Sequence, residues 1–499
     1  MKQVESAPKR MIQVEPTEVS KATGFLRAAL LAVLAVAAFQ VAFAIPALAW
    51  LVLVYLGCLF ALRQVATTRQ AFYLGLLVGL GVFVPQTMFL WKIFGSAALP
   101  LWLILAFFHG VFLFLLQRVE TRWGTGWAAA LAPVMWCGLE YFRSEIWWLR
   151  FSWFSAASPL ANSISEPARA LFAVFGIYGS GFVLLALTTQ LLWPGRWGYL
   201  TQRVRLVTTL FVAVGFTLMA PHIRRAQEDG ASHEIKVAGV QLEFPGAPEV
   251  LVALDRLAEV HPEAELLMLC EYTFDGPVPD IVREWCRRHG KWLVAGGKEP
   301  LAGQESYFNT AFVIGTNGEI VFSQAKARPI QFFRDGEPAT EQKVWQSPWG
   351  PLGILVCYDA SYRQVTDELI RQGAQALLIP AMDVEQWGEY QHRLNSRVTG
   401  LRAAEYGLPI FRVASSGISQ IISPDGRELA SAPFPGPGAV ISGVLKCRSS
   451  SRTRPLDTWL APVCLVGTLG VIGVLVWPFR RTRFVDPRMS TLSPTALLF

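Results

Sequence analysis

Apolar residues run almost without interruption from residue 24 to residue 220, and again from 459 to 477. Between them, residues 233–446 carry the short alternating blocks of a water-soluble domain. The first region divides into stretches near 24–44, 46–62, 72–92, 99–117, 126–142, 168–193 and 206–221, and 459–477 makes an eighth. Each is close to the ~20 residues a helix needs to cross a bilayer. In the middle block Ile235–Gln241, Leu266–Leu269, Trp292–Ala295, Thr310–Ile314, Ile320–Phe322, Ile354–Cys357, Ala376–Ile379, Ile410–Val413 and Gln420–Ile422 read as strands. Helices are predicted over Glu249–Val260, 279–289, 363–372 and 390–406. Asn317-Gly318 and Pro424-Asp425-Gly426 mark turns. Strands that alternate with helices, with hairpins inserted, predict one layered α/β domain.

Charge then orients the chain. Charged residues make up 16% of the sequence, against roughly 25% in a soluble protein. The net charge of +7 could suggest a nucleic-acid partner, but no basic run with interleaved aromatics occurs in the soluble part. The arginines sit instead between spans, as Arg63 and Arg69, Arg118 and Arg122, and Arg196, Arg203 and Arg205, and in the tail as Arg480, Arg481, Arg483 and Arg488. With the N-terminus in the cytoplasm, each short inner loop is then positive. The expected organisation is a cytoplasmic tail 1–23, a transmembrane bundle 24–221, an extracytoplasmic domain 233–446, a final span 459–477 and a cytoplasmic tail 478–499. The basic start and Ala42-Phe43-Ala44 imitate a secretory leader, but apolar sequence resumes at once, which predicts a retained span.

One outer loop, 143–167, is dense in Trp147, Trp148, Phe151, Trp153 and Phe154, as an interfacial belt or as a lining beside the soluble domain. Glu140 and Arg143, three apart at a span end, are placed to pair. The seven cysteines show no paired spacing, and Cys286-x-x-His289 is half a zinc site at most, so no disulfide framework and no metal are predicted.

Three polar residues end apolar runs. Glu271 follows Leu266–Cys270, Lys326 follows Ile320–Ala325, and Cys357 follows Gly353–Val356. A Glu, a Lys and a Cys at strand tips of one domain form a coherent chemical set. An ammonium lowers the thiol pKa from about 8.5, a shielded carboxylate carries the proton, and the ammonium stabilises an oxyanion. That is equipment for acyl transfer through a thioester, without a cofactor.

The order and context of these residues resemble the nitrilase, or carbon–nitrogen hydrolase, superfamily. Val237–Gln241 is similar to its first strand, Tyr307–Ala311 and Gly318–Ile320 to the hairpin before its lysine, and Arg402–Gly407 to the helix after its cysteine. The resemblance implies an α-β-β-α sandwich with Glu271, Lys326 and Cys357 catalytic. Together with about eight spans, it narrows to the apolipoprotein N-acyltransferase family, whose membrane part is resembled by Trp136–Ser144, Phe151–Trp153 and Gly176–Gly179, and whose entry to the last span is resembled by Thr453–Leu460.

That resemblance implies a bacterial inner-membrane enzyme with an extracytoplasmic catalytic domain. A phospholipid would donate its acyl chain to Cys357, and the α-amino group of a diacylglyceryl-cysteine lipoprotein would accept it. The chain departs from the pattern in places. The family's Pro-Phe-Gly-Glu stretch corresponds to 329–337, where Glu337 is the expected stand-in and Asp335 competes. Tyr358-Asp359 replaces Tyr-Glu, and Trp387 sits in an altered loop, 382–388. Glu337, Tyr358, Asp359 and Trp387 are thus the expected supporting or substrate-binding residues. The changed loops leave open an amidase or acyltransferase acting on a different lipid or amine. A non-catalytic scaffold is opposed by the intact Glu, Lys and Cys.

Overall fold

The computed structural model describes residues 18–162, 165–192, 231–448 and 454–477. The expected span 206–221 and the two tails lie outside the described residues, apart from the start of the first helix.

The bundle is built from α1 (Glu18–Ala44), α2 (Val52–Ala61), α3 (Thr68–Gln86), α4 (Phe89–Phe94), α5 (Ala98–Trp123), α6 (Thr125–Tyr141) and α7 (Glu166–Leu192). Phe25, Leu30, Val33, Leu77 and Leu103 are exposed on its outside, as expected of helices whose solvent is lipid. Six helical segments among the described residues are long and apolar enough to cross a membrane. α6, of 17 residues, is shorter but packs against α5 and α7. The chain is a multi-pass membrane protein.

The stretch expected as one span over 72–92 is two helices. Pro85 has no N–H for the carbonyl of Gly81, and Gln40 Nε2 donates to that oxygen instead (2.8 Å) and to Val82 O (3.1 Å). α3 stops one residue later, where Thr87 Oγ1 takes the Phe83 carbonyl at 2.7 Å. The start of α3 is fixed by a reciprocal cap between Thr67 and Gln70. Glu140 and Arg143 do not pair with each other. Glu140 accepts from Ala156 N (2.6 Å) and Arg143 donates to Trp153 O (3.3 Å), so both hold the aromatic loop against the bundle.

The soluble domain contains strands β1 (Ala231–Val240), β2 (Leu266–Met268), β3 (Trp292–Pro300), β4 (Tyr307–Ile314), β5 (Ile320–Ala325), β6 (Val344–Ser347), β7 (Gly350–Ile354), β8 (Ala376–Ala381), β9 (Ile410–Ala414), β10 (Gln420–Ile422), β11 (Glu428–Ser431) and β12 (Val440–Arg448). Its helices are α8 (Ala247–Val260), α9 (Asp280–His289), α10 (Arg363–Arg371) and α11 (Glu389–Tyr406). One sheet runs β12-β1-β2-β3-β4-β5 and the other β11-β10-β9-β8-β7-β6. Each has a parallel centre, with Val237 opposite Leu266 in one and Leu352 opposite Ala376 in the other. A shared core of Ile235, Met268, Ile354, Leu378 and Phe411 lies between the sheets. α8 and α9 cover the first sheet through Leu254, Leu257 and Val282, and α10 and α11 cover the second through Leu369 and Tyr406. This is the expected α-β-β-α sandwich. Strands β6, β11 and β12 were not expected. β11 is exposed and β12 mixes buried and exposed positions, so neither gives a continuous apolar run.

After the domain, α12 (Asp457–Val476) returns to the bundle beside α6. A break in α7 ties the two parts together. Gly176 sits at φ +68°, which leaves the next N–H groups without helical partners. Glu405 of α11 accepts from Ile177 N (2.7 Å), and Asp457 of α12 accepts from Tyr178 N (3.1 Å). In return, Glu145 of the membrane part accepts from Arg363 N (2.9 Å) at the start of α10 and from Tyr178 Oη (2.9 Å).

A side chain at Gly176 would meet both strain and bulk, since its Cβ would lie 2.2 Å from Asp457 Oδ2. Gly176→Ala is expected to destabilise this joint by about 1–3 kcal/mol or more, and thermal unfolding of the detergent-solubilised protein would register the lower midpoint.

Candidate active site

β2 is a wholly buried three-residue strand, and the buried pair Leu269-Cys270 carries the chain on to Glu271. The backbone turns there, with Tyr272 at φ +54°. The turn packs against Gly296 of β3, where an added Cβ would lie 2.5 Å from Glu271 Cα. Lys326 follows β5 and is fully buried. Cys357 was expected at the tip of its strand, but β7 ends at Ile354 and Cys357 opens a tight turn, Cys357–Ser361, at φ +51°. A non-glycine residue there carries about 1–3 kcal/mol of strain. Such a strand-to-turn corner presents the side chain outward from the sheet, as nucleophile elbows do.

The three residues converge. Lys326 Nζ lies 2.8 Å from Glu271 Oε1 and 2.7 Å from Asp335 Oδ2. Asn309 Nδ2 donates to Glu271 Oε1 (2.6 Å) and Asp335 Oδ1 (2.8 Å), and Tyr272 Oη also donates to Asp335 (2.8 Å). Met382 joins the thiol to the carboxylate: its N–H donates to Glu271 Oε2 (2.8 Å), and Cys357 Sγ donates to its carbonyl (3.7 Å).

Electrostatics follow from this packing. Burial, reinforced by Glu271, pushes the Cys357 thiol well above its ordinary value, with Lys326 opposing. The resting side chain is therefore a neutral thiol. Burial works against the Lys326 ammonium, but Asp335 and Glu271 outweigh it and hold the proton on. Glu271 is shifted upward by burial against the pull of Lys326. The site thus pairs a protonated thiol with a carboxylate more basic than an ordinary glutamate and with a fixed positive charge.

The supporting residues separate. Asp335, not Glu337, occupies the place beside Lys326; Glu337 is exposed and accepts from Ser306 Oγ (2.8 Å). A glycine turn at Gly336 (φ +79°) parts the two. Asp359 is buried and accepts from Ala327 N (3.0 Å), Arg328 N (2.7 Å) and Val356 N (3.3 Å), which locks the lysine loop to the cysteine turn. Burial raises its pKa to about 7 against Lys326 and these N–H groups. Tyr358 and Trp387 line a cleft that reaches Cys357. Its other walls include Phe89, Leu90 and Ile93 of the α4 region, Leu101 and Leu105 of α5, and Phe332 and Phe333 of the soluble domain. Phe333 contacts Trp387, ring centroids 6.0 Å apart. His392 bonds Val384 O (3.0 Å), a structural contact. Among the described residues no cluster suited to a metal ion occurs.

Sequence reasoning assigned no role to Asn309 or Met382. Asn309 had a signal, a polar residue at a buried place in an apolar strand. Met382 acts through its backbone and had none.

Residues 236–444 match the family Carbon-nitrogen hydrolase, and residues 28–189 match the family Apolipoprotein N-acyltransferase N-terminal domain. The chain is thus similar to apolipoprotein N-acyltransferases in both its membrane part and its soluble part. It is 23% identical to the apolipoprotein N-acyltransferase of Geobacter metallireducens over 72% of this chain and 78% of that one. It is 29% identical to that of Brucella suis over 40% of this chain, which spans 42% of the relative's length. Among solved structures, a carbon-nitrogen hydrolase from Helicobacter pylori is similar over 51% of this chain and 97% of its own, at 18% identity and a TM-score of 0.37. The two family matches divide this N-acyltransferase homologue where its helices give way to its sheets.

A methyl group at Gly296 would displace Glu271 by its backbone. A misplacement of about 1 Å costs roughly a hundredfold in rate. Gly296→Ala is therefore expected to slow acylation of Cys357 by p-nitrophenyl butyrate to about that extent. Gly276→Ala, where an added Cβ meets nothing within 4 Å, should leave the rate unchanged.

Proposed function

We propose that the protein is a phospholipid:apolipoprotein N-acyltransferase of the bacterial inner membrane, with its catalytic domain on the outer side. The observation that carries this reading is the cleft. Its walls come in part from membrane helices, its lining is largely apolar, and Cys357 lies on it. An acyl chain can reach the nucleophile from the bilayer without crossing water. The arginines between spans support the orientation, and the family matches support the reaction class.

In the first half-reaction the Cys357 thiol gives its proton to Glu271 as the sulfur attacks the ester carbonyl of a membrane phospholipid. Lys326 and the backbone N–H following Cys357 stabilise the oxyanion. Collapse breaks the ester C–O bond, Glu271 returns the proton to the leaving alkoxide, and a lysophospholipid departs from a Cys357 thioester. In the second half the α-amino group of a diacylglyceryl-cysteine attacks the thioester, losing a proton to Glu271. The C–S bond breaks, the thiolate recovers that proton, and an amide is released. Asp335 holds the Lys326 charge in place and Asp359 holds the two loops together. The apolar cleft excludes water, which would otherwise compete as the nucleophile.

Glu271 must be ionised to accept the thiol proton, and its pKa lies above the ordinary 4.5. Thioester formation should therefore fall as pH is lowered, beginning at a higher pH than an ordinary glutamate would give. Stopped acylation assays across pH 4–8 would measure that limb, and Glu271→Gln should lose at least about a hundredfold in rate at every pH.

The direct test is intact-mass spectrometry after incubation with phospholipid vesicles. A gain of one acyl group, removed by hydroxylamine and absent in Cys357→Ala, is expected, and a diacylated lipopeptide should discharge it as an amide. No acyl-enzyme with any phospholipid would overturn the reading, as would an acyl-enzyme that only water discharges.

A further inference from the structure

A second cavity shares Trp153 with the Cys357 cleft. Its walls include Phe43 at the end of α1, Ser155 of the aromatic loop, and Leu394, Arg397 and Leu401 of α11. Two side chains here have unmet hydrogen-bonding capacity. The Arg397 guanidinium rests over the Phe43 ring, 4.8 Å from its centroid, with Nη1 buried and bonded to nothing. Ser155 Oγ is also buried without a partner. The neighbouring Arg402 differs, being ion-paired with Glu405 and bonded to Ala360 O and Ser361 O. No carboxylate among the described residues forms an ion pair with Arg397.

A buried donor without a partner costs about 1–3 kcal/mol, and more when it belongs to a charged group. Two of them beside one cavity, one cationic and one a hydroxyl, call for an anion with several acceptor oxygens. The setting narrows the class. Phe43 lies at the end of the first membrane span, Gly24–Ala44, the depth of the phosphate layer of a bilayer. Phe43, Leu394 and Leu401 give the cavity an apolar side that a small hydrophilic anion would leave unused.

We infer that this cavity is a phosphate site for a membrane phospholipid, separate from the acyl-transfer cleft. Arg397 makes a charge-assisted hydrogen bond to the phosphodiester, Ser155 donates a second, and the glycerol end packs on Phe43 and Leu401. Trp153 stands between this lipid and the Cys357 cleft. Its Nε1 donates to Ser361 Oγ (3.0 Å) in the nucleophile turn, so the wall of the lipid site is also a support of that turn. The inference concerns lipid binding alone and does not require that the protein transfer acyl groups.

The test uses the full-length Cys357→Ala protein in neutral detergent, titrated with dihexanoyl phosphatidylglycerol and followed by native mass spectrometry. Arg397→Gln should weaken one lipid-binding event about tenfold, while Arg397→Lys retains most of it. Leu105→Trp, which fills the neighbouring cleft, should leave the Arg397-dependent event in place. Dihexanoylglycerol, which lacks phosphate, should bind more weakly and without dependence on Arg397. Equal phosphatidylglycerol binding by Arg397→Gln and the parent overturns the site, as does loss of all binding in Leu105→Trp. Inorganic phosphate that binds as tightly as the lipid, with the same dependence on Arg397, assigns a free-anion site and overturns the lipid reading. Should Arg397→Gln not fold, Ser155→Ala decides in the same way, with an expected weakening of about threefold.

Discussion

A buried ammonium held between two carboxylates is the constraint on which the rest of this site depends. Lys326 is fully buried and lies within 2.8 Å of both Glu271 and Asp335. A charge in that position is tolerable only when its partners are complete, and removing one partner of such a cluster costs about 3–5 kcal/mol. The cluster is therefore rigid by necessity. Asn309 ties the two carboxylates to each other, and the backbone of Met382 ties Glu271 to the cysteine. Burial, with Glu271 second, explains the protonated thiol. A single lysine beside Cys357 would favour the thiolate, whereas Glu271 and burial reverse that tendency. In the proposed mechanism, proton transfer to Glu271 is thereby made part of the attack.

The same logic of completed partners joins the soluble domain to the membrane helices. Gly176 breaks α7, and the freed N–H groups find Glu405 and Asp457, one from the soluble domain and one from the last span. Arg402, paired with Glu405, also holds the carbonyls of Ala360 and Ser361, which belong to the turn that begins at Cys357. A continuous set of buried polar contacts therefore runs from the Cys357 turn to the broken membrane helix. Tyr178, Arg402, Glu405 and Asp457 are buried, and buried polar groups need protein partners, so the relative placement of bundle and domain is set by hydrogen bonds as well as by apolar packing. The cleft over Cys357 needs that placement, because its walls come from both parts.

Much of this was legible along the chain. Continuous apolar runs identified the membrane helices, since a helix that faces lipid outside and protein inside has no polar side to interrupt the pattern. The buried central strands were legible for the related reason that parallel strands covered on both faces read as apolar blocks. β11 was not, because nearly all of it faces water. The short helix α4 was hidden by Pro85, whose effect on α3 is settled by Gln40, a residue on another helix.

By itself the sequence determined the class of architecture and the three residues of the candidate site, because each of those signals is local: an apolar run, and a charged or nucleophilic residue where the run stops. Tertiary structure alone decided which acid stands beside Lys326. Asp335 and Glu337 are two residues apart and chemically alike, and a glycine turn sends one inward and the other to solvent. It also decided that Cys357 begins a strained turn, that a methionine backbone joins the thiol to Glu271, and that membrane helices help to wall the cleft. Those are relations between segments far apart in the chain. They arise from packing and from the need to satisfy every buried polar group, neither of which is written in the spacing of residues along one segment.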